Sequence, residues 1–481
     1  MIIIQIIEKL FTIAFAIVGW LFQGLLTFLL GEEKKEGYNA EFGSTGELLS
    51  SNNKGFRLTG KKSLTIKDSR QNCLVIGGTG VGKSVTILIP SVFAMEGSLV
   101  VHDPSGELHQ RTAGYLHDRG YEVKVLNYAN PEISDGYNPI LRAKSSSDIN
   151  KVASLIVKKA LGDSKSDVFW ESQATSFIAI FIAILKTQDV RYQNLLNVKY
   201  LLNTFNASPE KLDELFSRHA DEELFSEWKT INAYEGKVLS NIVATCRSAL
   251  QLFGDDAVAK VTSFDTIDMH AFREKKTALF IQNSIADQEY YSPITSLFFE
   301  QFWGELMSHL PRQEYQDVWF LIDESSSLML PTLPITIANI RKYHGGILLV
   351  LQDFNQLIHS YGRYQADAIR SNCFAKLYFT GQPLETAQEL ERTLGKYEYE
   401  DEKGIKRIKP LLTADEIRIM DVSEALLICG HHKPMKIEMK PYFKNMRLNS
   451  CSRIAPPKQG SKVPYESVPL LPIGKKEMSH A

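Results

Sequence analysis

Gly77, Gly78, Thr79, Gly80, Val81, Gly82, Lys83 and Ser84 form one uninterrupted run in the 481-residue chain. Glycines lack Cβ, so their main-chain N–H groups can close around an anion. In such a loop Lys83 would bring a point charge to the β- and γ-phosphate oxygens of a nucleotide, and the Ser84 hydroxyl would ligate Mg²⁺. The chemistry expected of the run is a grip on ATP with Mg²⁺ as its companion ion.

Four further residues could complete it. Asp323 and Glu324 end the apolar run "VWFLIDE". One carboxylate there can hold the Mg²⁺ shell opposite Ser84 while the next polarises an attacking water, although an acidic pair after a strand is also an ordinary helix start. Gln352 ends "GGILLVLQD", where an amide could sense the γ-phosphate or simply terminate a strand. Arg341, in "NIRKYHGG", carries the guanidinium that suits phosphoryl transfer across a subunit boundary, and equally suits a solvated helix end. Assembly state separates those two readings.

Such a loop must leave a strand and enter a helix, which "CLVIGGTGVGKSVTILIP" predicts. From Asn72 onward short apolar runs ("NCLVIGG", "SLVVHDPSGE", "YEVKVLNY", "TALFIQN", "VWFLIDE", "GILLVLQD", "AKLYFTG") alternate with helical periods. Runs apolar throughout predict strands buried on both faces of a mainly parallel sheet, hence an α/β fold. Residues 141–262 show helical periods without a strand and are expected to form an inserted all-α domain. "FIAIFIAIL" within it is too short to cross a bilayer and reads as a buried helix core. "GKYEYEDEKGIKRIKP" reads as an exposed hairpin turning at Glu402, Lys403 and Gly404, in preference to a base-stacking surface.

Leu10 to Leu30 is an uncharged stretch of roughly 21 residues, long enough for a membrane helix. The expected organisation is therefore an anchor at 1–31, a connector at 32–71, a nucleotide-binding domain at 72–140 plus 263–445, the all-α domain at 141–262 and a flexible tail at 446–481. A net charge of −2 argues against a basic nucleic-acid coat. Five scattered cysteines without a paired spacing argue against zinc or a disulfide framework and fit a reducing cytoplasm.

Over roughly Glu41 to Lys444 the sequence resembles the type IV secretion coupling proteins, the TraG/TraD group of FtsK/HerA-related ring ATPases. The resemblance rests on the order of "EFGSTGEL", the glycine loop, "HDPSGEL", "YNPI", "FWESQATSFIAIFIAIL", "LIDESSSL", "LQDFNQLIHSYG", "SNCFAKLYF", "PLLTADEI" and "KPYF". It implies a RecA-like P-loop core and a homo-hexamer anchored in the inner membrane, single-pass here, with the ATPase domain in the cytoplasm. It also implies ATP-driven passage of relaxase-bound single-stranded DNA, or of protein effectors, into a type IV secretion channel. Lys83, Ser84, Asp323 and Glu324 match the Walker positions, Gln352 the sensor and Arg341 the trans-acting arginine. The chain departs from the pattern at Ser105, where many relatives have lysine, at Ser325, where an apolar residue is common, and in showing one span where relatives have two. Two other readings are an effector receptor with hydrolysis secondary, and an FtsK-like translocase, which predicts more spans and a DNA-orienting C-terminal domain.

Overall fold

The computed structural model describes residues 38–473 apart from 162–167, 235, 325–327 and 329. The expected anchor and Ser325 lie outside the described residues. Contacts divide the chain into two units, one joining the segment up to Glu41 with Ala387–Glu416, the other comprising Phe42–Thr386 and Ile417–Ala481.

The larger unit is built on β1 (Cys73–Ile76), β2 (Ser98–His102), β3 (Glu122–Leu126), β4 (Thr277–Ile281), β5 (Val318–Ile322), β6 (Gly345–Leu351) and β7 (Ala375–Phe379). These are the seven apolar runs of the sequence, and all pair in parallel. Two further strands, β10 (Glu424–Cys429) and β11 (Met435–Glu438), extend the sheet antiparallel, giving the order β11-β10-β7-β1-β6-β5-β2-β4-β3.

Both faces of the sheet are covered, as runs without polar alternation require. On one face Val75, Val101, Leu321 and Val350 pack with Ile87, Val92 and Leu116 from helices Ser84–Ala94 and Glu107–Asp118. Residues of the expected connector join this face: Phe56 is buried and meets the Trp319 ring edge-on at 5.4 Å. On the other face helix Gln288–Leu306 lays Phe299, Phe302 and Trp303 around Phe320, with ring centroids 5.3–6.3 Å apart.

Between β3 and β4 the described residues hold helices and no strand. Helix Val168–Lys186 is, among them, the one long and apolar enough to cross a membrane by length and composition. Its stretch Phe177–Leu185 is largely buried against neighbouring helices, where Phe177 meets Phe205 at 5.1 Å and Phe181 meets Trp228 at 6.3 Å. These helices cluster within the larger unit.

The segment expected to be a flexible tail is anchored as far as Ile473. It begins with helix Met446–Cys451, continues extended, and buries Val468 and Leu471. Lys462 Nζ reaches both carboxylate oxygens of the fully buried Asp135 at 2.8 and 2.9 Å, and Asn197 brackets the chain by donating to Pro469 O and accepting from Leu471 N.

In the smaller unit β8 (Lys396–Glu400) and β9 (Lys406–Pro410) form the expected hairpin, with Gly404 in the left-handed region at φ 71°. Residues 38–40 run antiparallel beside β8: Glu398 N donates to Tyr38 O and Ala40 N to Lys396 O, each at 2.9 Å.

Candidate functional site

Strand order brings the candidate residues together. β6 lies between β1 and β5, so Gln352 after β6 stands between the glycine loop after β1 and the acidic pair after β5. All three follow the C-terminal ends of parallel strands, the edge at which open α/β sheets bind ligands.

The loop is held at both ends and open in the middle. Gly77 N donates to Leu351 O, and a Cβ at Gly77 would meet Phe379 Cβ at 2.7 Å, so only glycine fits between β1 and β7. Gly82 takes φ 86°, which turns the chain into helix Ser84–Ala94. The N–H groups of Gly78, Thr79, Gly80, Val81 and Gly82 donate to no protein acceptor among the described residues, and an added Cβ at Gly78 would meet nothing within 4 Å. A row of unclaimed donors at a helix N-terminus, facing free space, fits a phosphate chain.

Ser84 opens that helix with a wide turn in which Ile89 N reaches back to Ser84 O. Pro90 follows at once. Its missing N–H and its ring are accommodated where the turn is already widened. Lys83 Nζ donates to Gly77 O at 2.6 Å and Gly78 O at 2.8 Å, curled over its own loop. Burial pulls its pKa below the usual lysine value, and the nearby Asp323 and Glu324 oppose that shift.

Asp323 is pushed up to about 7, mainly by burial and then by Glu324 and Asp103, against the pull of Lys83. Glu324 has a left-handed backbone, φ 49°, which costs a non-glycine residue about 1–2 kcal/mol. The turn ends β5 there and lets Glu324 N donate to Asp323 Oδ1 at 3.1 Å. Thr79 Oγ1 lies 3.4 Å from Gln352 Oε1, so the amide already touches the loop.

Two residues of this cluster escaped the sequence reading. His102 ends β2 and holds Asp323 O at 2.7 Å through Nδ1; burial lowers its pKa to about 4, so the ring is neutral, and a carbonyl partner requires the proton on Nδ1. Asp103 accepts from Leu108 N at 3.1 Å and His109 N at 2.8 Å, fixing helix Glu107–Asp118, and burial raises it to about 6. The signal was available: "SLVVHD" ends an apolar strand in a titratable pair, as "VWFLIDE" does. Ser105 serves this turn locally by accepting from Glu107 N at 3.2 Å.

Arg341 is not in the cluster. It lies exposed in the short helical turn Ile340–Tyr343 that precedes β6, at the opposite edge of the sheet from the glycine loop.

The family described as "Type IV secretory system Conjugative DNA transfer" matches residues 30–463. The chain belongs to this family. Members similar to it include protein VirD4 of Agrobacterium fabrum (strain C58 / ATCC 33970), 23% identical over 431 residues that cover 82% of this chain and 62% of that protein. Conjugal transfer protein TraG of Escherichia coli is 24% identical over 357 residues, covering 68% of this chain and 55% of that one. The matches thus span less than two thirds of either relative. Among solved structures, plasmid coupling protein TrwB in complex with a non-hydrolysable GTP analogue superposes with a TM-score of 0.64 at 18% identity, over 85% of this chain and 96% of that chain. TrwB in complex with ADP and Mg²⁺ gives 0.60 at 17% identity, over 85% and 96%. These likenesses show the fold, a mixed α/β arrangement on a large, mostly parallel sheet.

Proposed function

We propose that the chain is a coupling ATPase that links a DNA substrate to a type IV secretion channel and drives its transfer. The carrying observation is the convergence of unclaimed loop N–H groups, Lys83, the Asp323–Glu324 pair and Gln352 at one sheet edge, in a chain matched to a DNA-transfer family over residues 30–463. TrwB, which shares the fold, has been captured with ADP and Mg²⁺ and with nucleotide analogues. Magnesium ATP, when bound, supplies the phosphoryl group whose transfer to water releases the driving free energy.

The chain's own residues divide the work. The N–H groups of Gly78 to Gly82 hold phosphate oxygens, and Lys83 exchanges the carbonyls of Gly77 and Gly78 for β- and γ-oxygens. The Ser84 hydroxyl and the Asp323 carboxylate would hold Mg²⁺. Glu324 orients water and takes its proton, and Gln352, tied to Thr79, reports the state of the γ-phosphate to β6. Arg341 stands across the seven residues of β6 from the loop, roughly 20 Å at about 3.3 Å per residue. It therefore acts on a neighbouring subunit's phosphates, which calls for a ring, here a homo-hexamer. Leu10–Leu30 anchors the chain in the inner membrane as a single span, with the sheet and the 141–262 helices, an all-α domain, in the cytoplasm. The substrate is single-stranded DNA carrying its relaxase.

DNA-stimulated ATP hydrolysis by the full chain in lipid nanodiscs tests the assignment. Lys83→Ala is expected to lose nucleotide binding and turnover, and Glu324→Gln to keep binding but lose turnover by about 10²-fold or more. Hydrolysis unaltered by both changes would overturn it.

A further inference from the structure

The β8–β9 hairpin sorts its side chains by chemistry. Tyr397 pairs with Lys409 and Tyr399 with Arg407, whereas Glu398 pairs with Ile408 and Glu400 with Lys406. Directly opposed residues of an antiparallel pair share a face. One face therefore holds two tyrosines, an arginine and a lysine and none of the strand carboxylates; the other holds Glu398 and Glu400, with Glu398 bound to Lys406 at 2.8 Å.

On the first face the tyrosine rings lie 6.1 Å apart, and the Lys409 ammonium stands over both, 5.4 Å from Tyr397 and 5.6 Å from Tyr399. Arg407 is bound to Asp401 at 2.6 Å, whereas the exposed Lys409 is held by the Tyr397 side chain, its more distant neighbours being Glu416 and Tyr399. Tyr399 is 38% exposed. The pairing of residues 38–40 along β8 stiffens the platform, so little order has to be gained on binding.

We propose that this face binds single-stranded nucleic acid, the bases stacking on Tyr397 and Tyr399 while Lys409 swings from the rings to a phosphate. Adjacent rings with a cation and no strand carboxylate match an unpaired strand, whose bases are free to stack and whose backbone is anionic. A duplex offers no free base faces, and an acidic peptide offers nothing for the rings. The assignment rests on the DNA-transfer reading of the chain, yet it uses none of the residues of the nucleotide site.

The test is fluorescence anisotropy of a labelled oligo-dT 20-mer with the full chain in detergent. Tyr397→Ala/Tyr399→Ala is expected to weaken binding at least about tenfold, while Tyr397→Phe/Tyr399→Phe, which keeps the rings, retains it. Lys409→Ala is expected to lower the slope of log affinity against log salt by about 0.7, one phosphate contact on a single strand. Basal ATP hydrolysis stays unchanged in all three variants. A 5-iododeoxyuridine oligonucleotide, photo-cross-linked to the unmutated chain and mapped by mass spectrometry, should mark Tyr397 or Tyr399. Wild-type affinity in the double alanine variant, equal competition by duplex, or cross-links confined to other residues would each overturn the proposal. Failure here leaves the hydrolysis test with Lys83→Ala untouched, so the two assignments are separable.

Discussion

At the scale of single residues, the site stores electrostatic tension in its carboxylates. Asp323 binds its proton more tightly in the folded chain than in the unfolded one, since burial and Glu324 raise its pKa to about 7. Where the folded state holds more protons, stability falls as pH rises. Without nucleotide, melting temperature should therefore decline between about pH 4, the ordinary aspartate value, and pH 7, then level off. Asp323→Asn removes the charge that burial opposes, and a melt at pH 8 should show it more stable than wild type by about 1–3 kcal/mol, although it loses Mg²⁺-dependent turnover. Asp103, raised to about 6, adds to the same slope. A carboxylate that must shed its proton to take a metal also makes binding pH-dependent. Isothermal titration should show magnesium-nucleotide affinity weakening as pH drops from 8 to 6, and a flat profile would contradict that role for Asp323. The glycine loop and Asp323–Glu324 were legible because their chemistry demands a fixed spacing after a strand. His102 and Asp103 end an equally readable strand, but their work was not legible, because they act through a carbonyl and two helix N–H groups, contacts that only the paired strands bring within reach.

At the scale of elements, the buried parallel strands could be read from the sequence because burial forces a nearly unbroken apolar run, and the edge strand β3, only partly buried, still carries Val123, Val125 and Leu126. β11 could not: its four residues alternate buried and exposed, too short a pattern to stand out. The C-terminal segment was misjudged for a related reason. Proline-rich chain has no periodicity, and this stretch is fastened at isolated points, Lys462 on Asp135 and Leu471 on Asn197, which leave no repeat in the sequence. Among the helices following β3, Trp228 stacks on Phe216 at 4.4 Å and donates Nε1–H to Asp213 Oδ1 at 2.7 Å. Trp228→Ala would leave a large cavity and take one of two donors from Asp213, which keeps Lys229 at 3.0 Å, at a cost of about 3–5 kcal/mol. Chemical denaturation should register that loss while nucleotide affinity at the sheet edge persists; an accompanying collapse of nucleotide binding would show the helices and the sheet to be one cooperative unit.

At the scale of the whole molecule, the proposed ring would make turnover a shared property, because Arg341 stands at the other end of β6 from its own glycine loop. Lys83→Ala and Arg341→Ala should each be inactive alone. Mixed in equal amounts, they should recover a measurable part of wild-type hydrolysis, because some interfaces then join an intact loop to an intact arginine. Absence of any recovery in mixed assemblies would remove Arg341 from the mechanism. The C-terminal strap works at the same scale. Deleting residues 461–481 takes one cation from Asp135, leaving it Lys124 at 3.6 Å, and uncovers the pocket of Leu471; thermal unfolding should report a loss of roughly 1–3 kcal/mol. Lys462 grips Asp135 just beyond β3, and Leu471 grips Asn197 in helix Leu195–Ala207, so this single segment cross-links the sheet to the helices and slackening it would loosen both together.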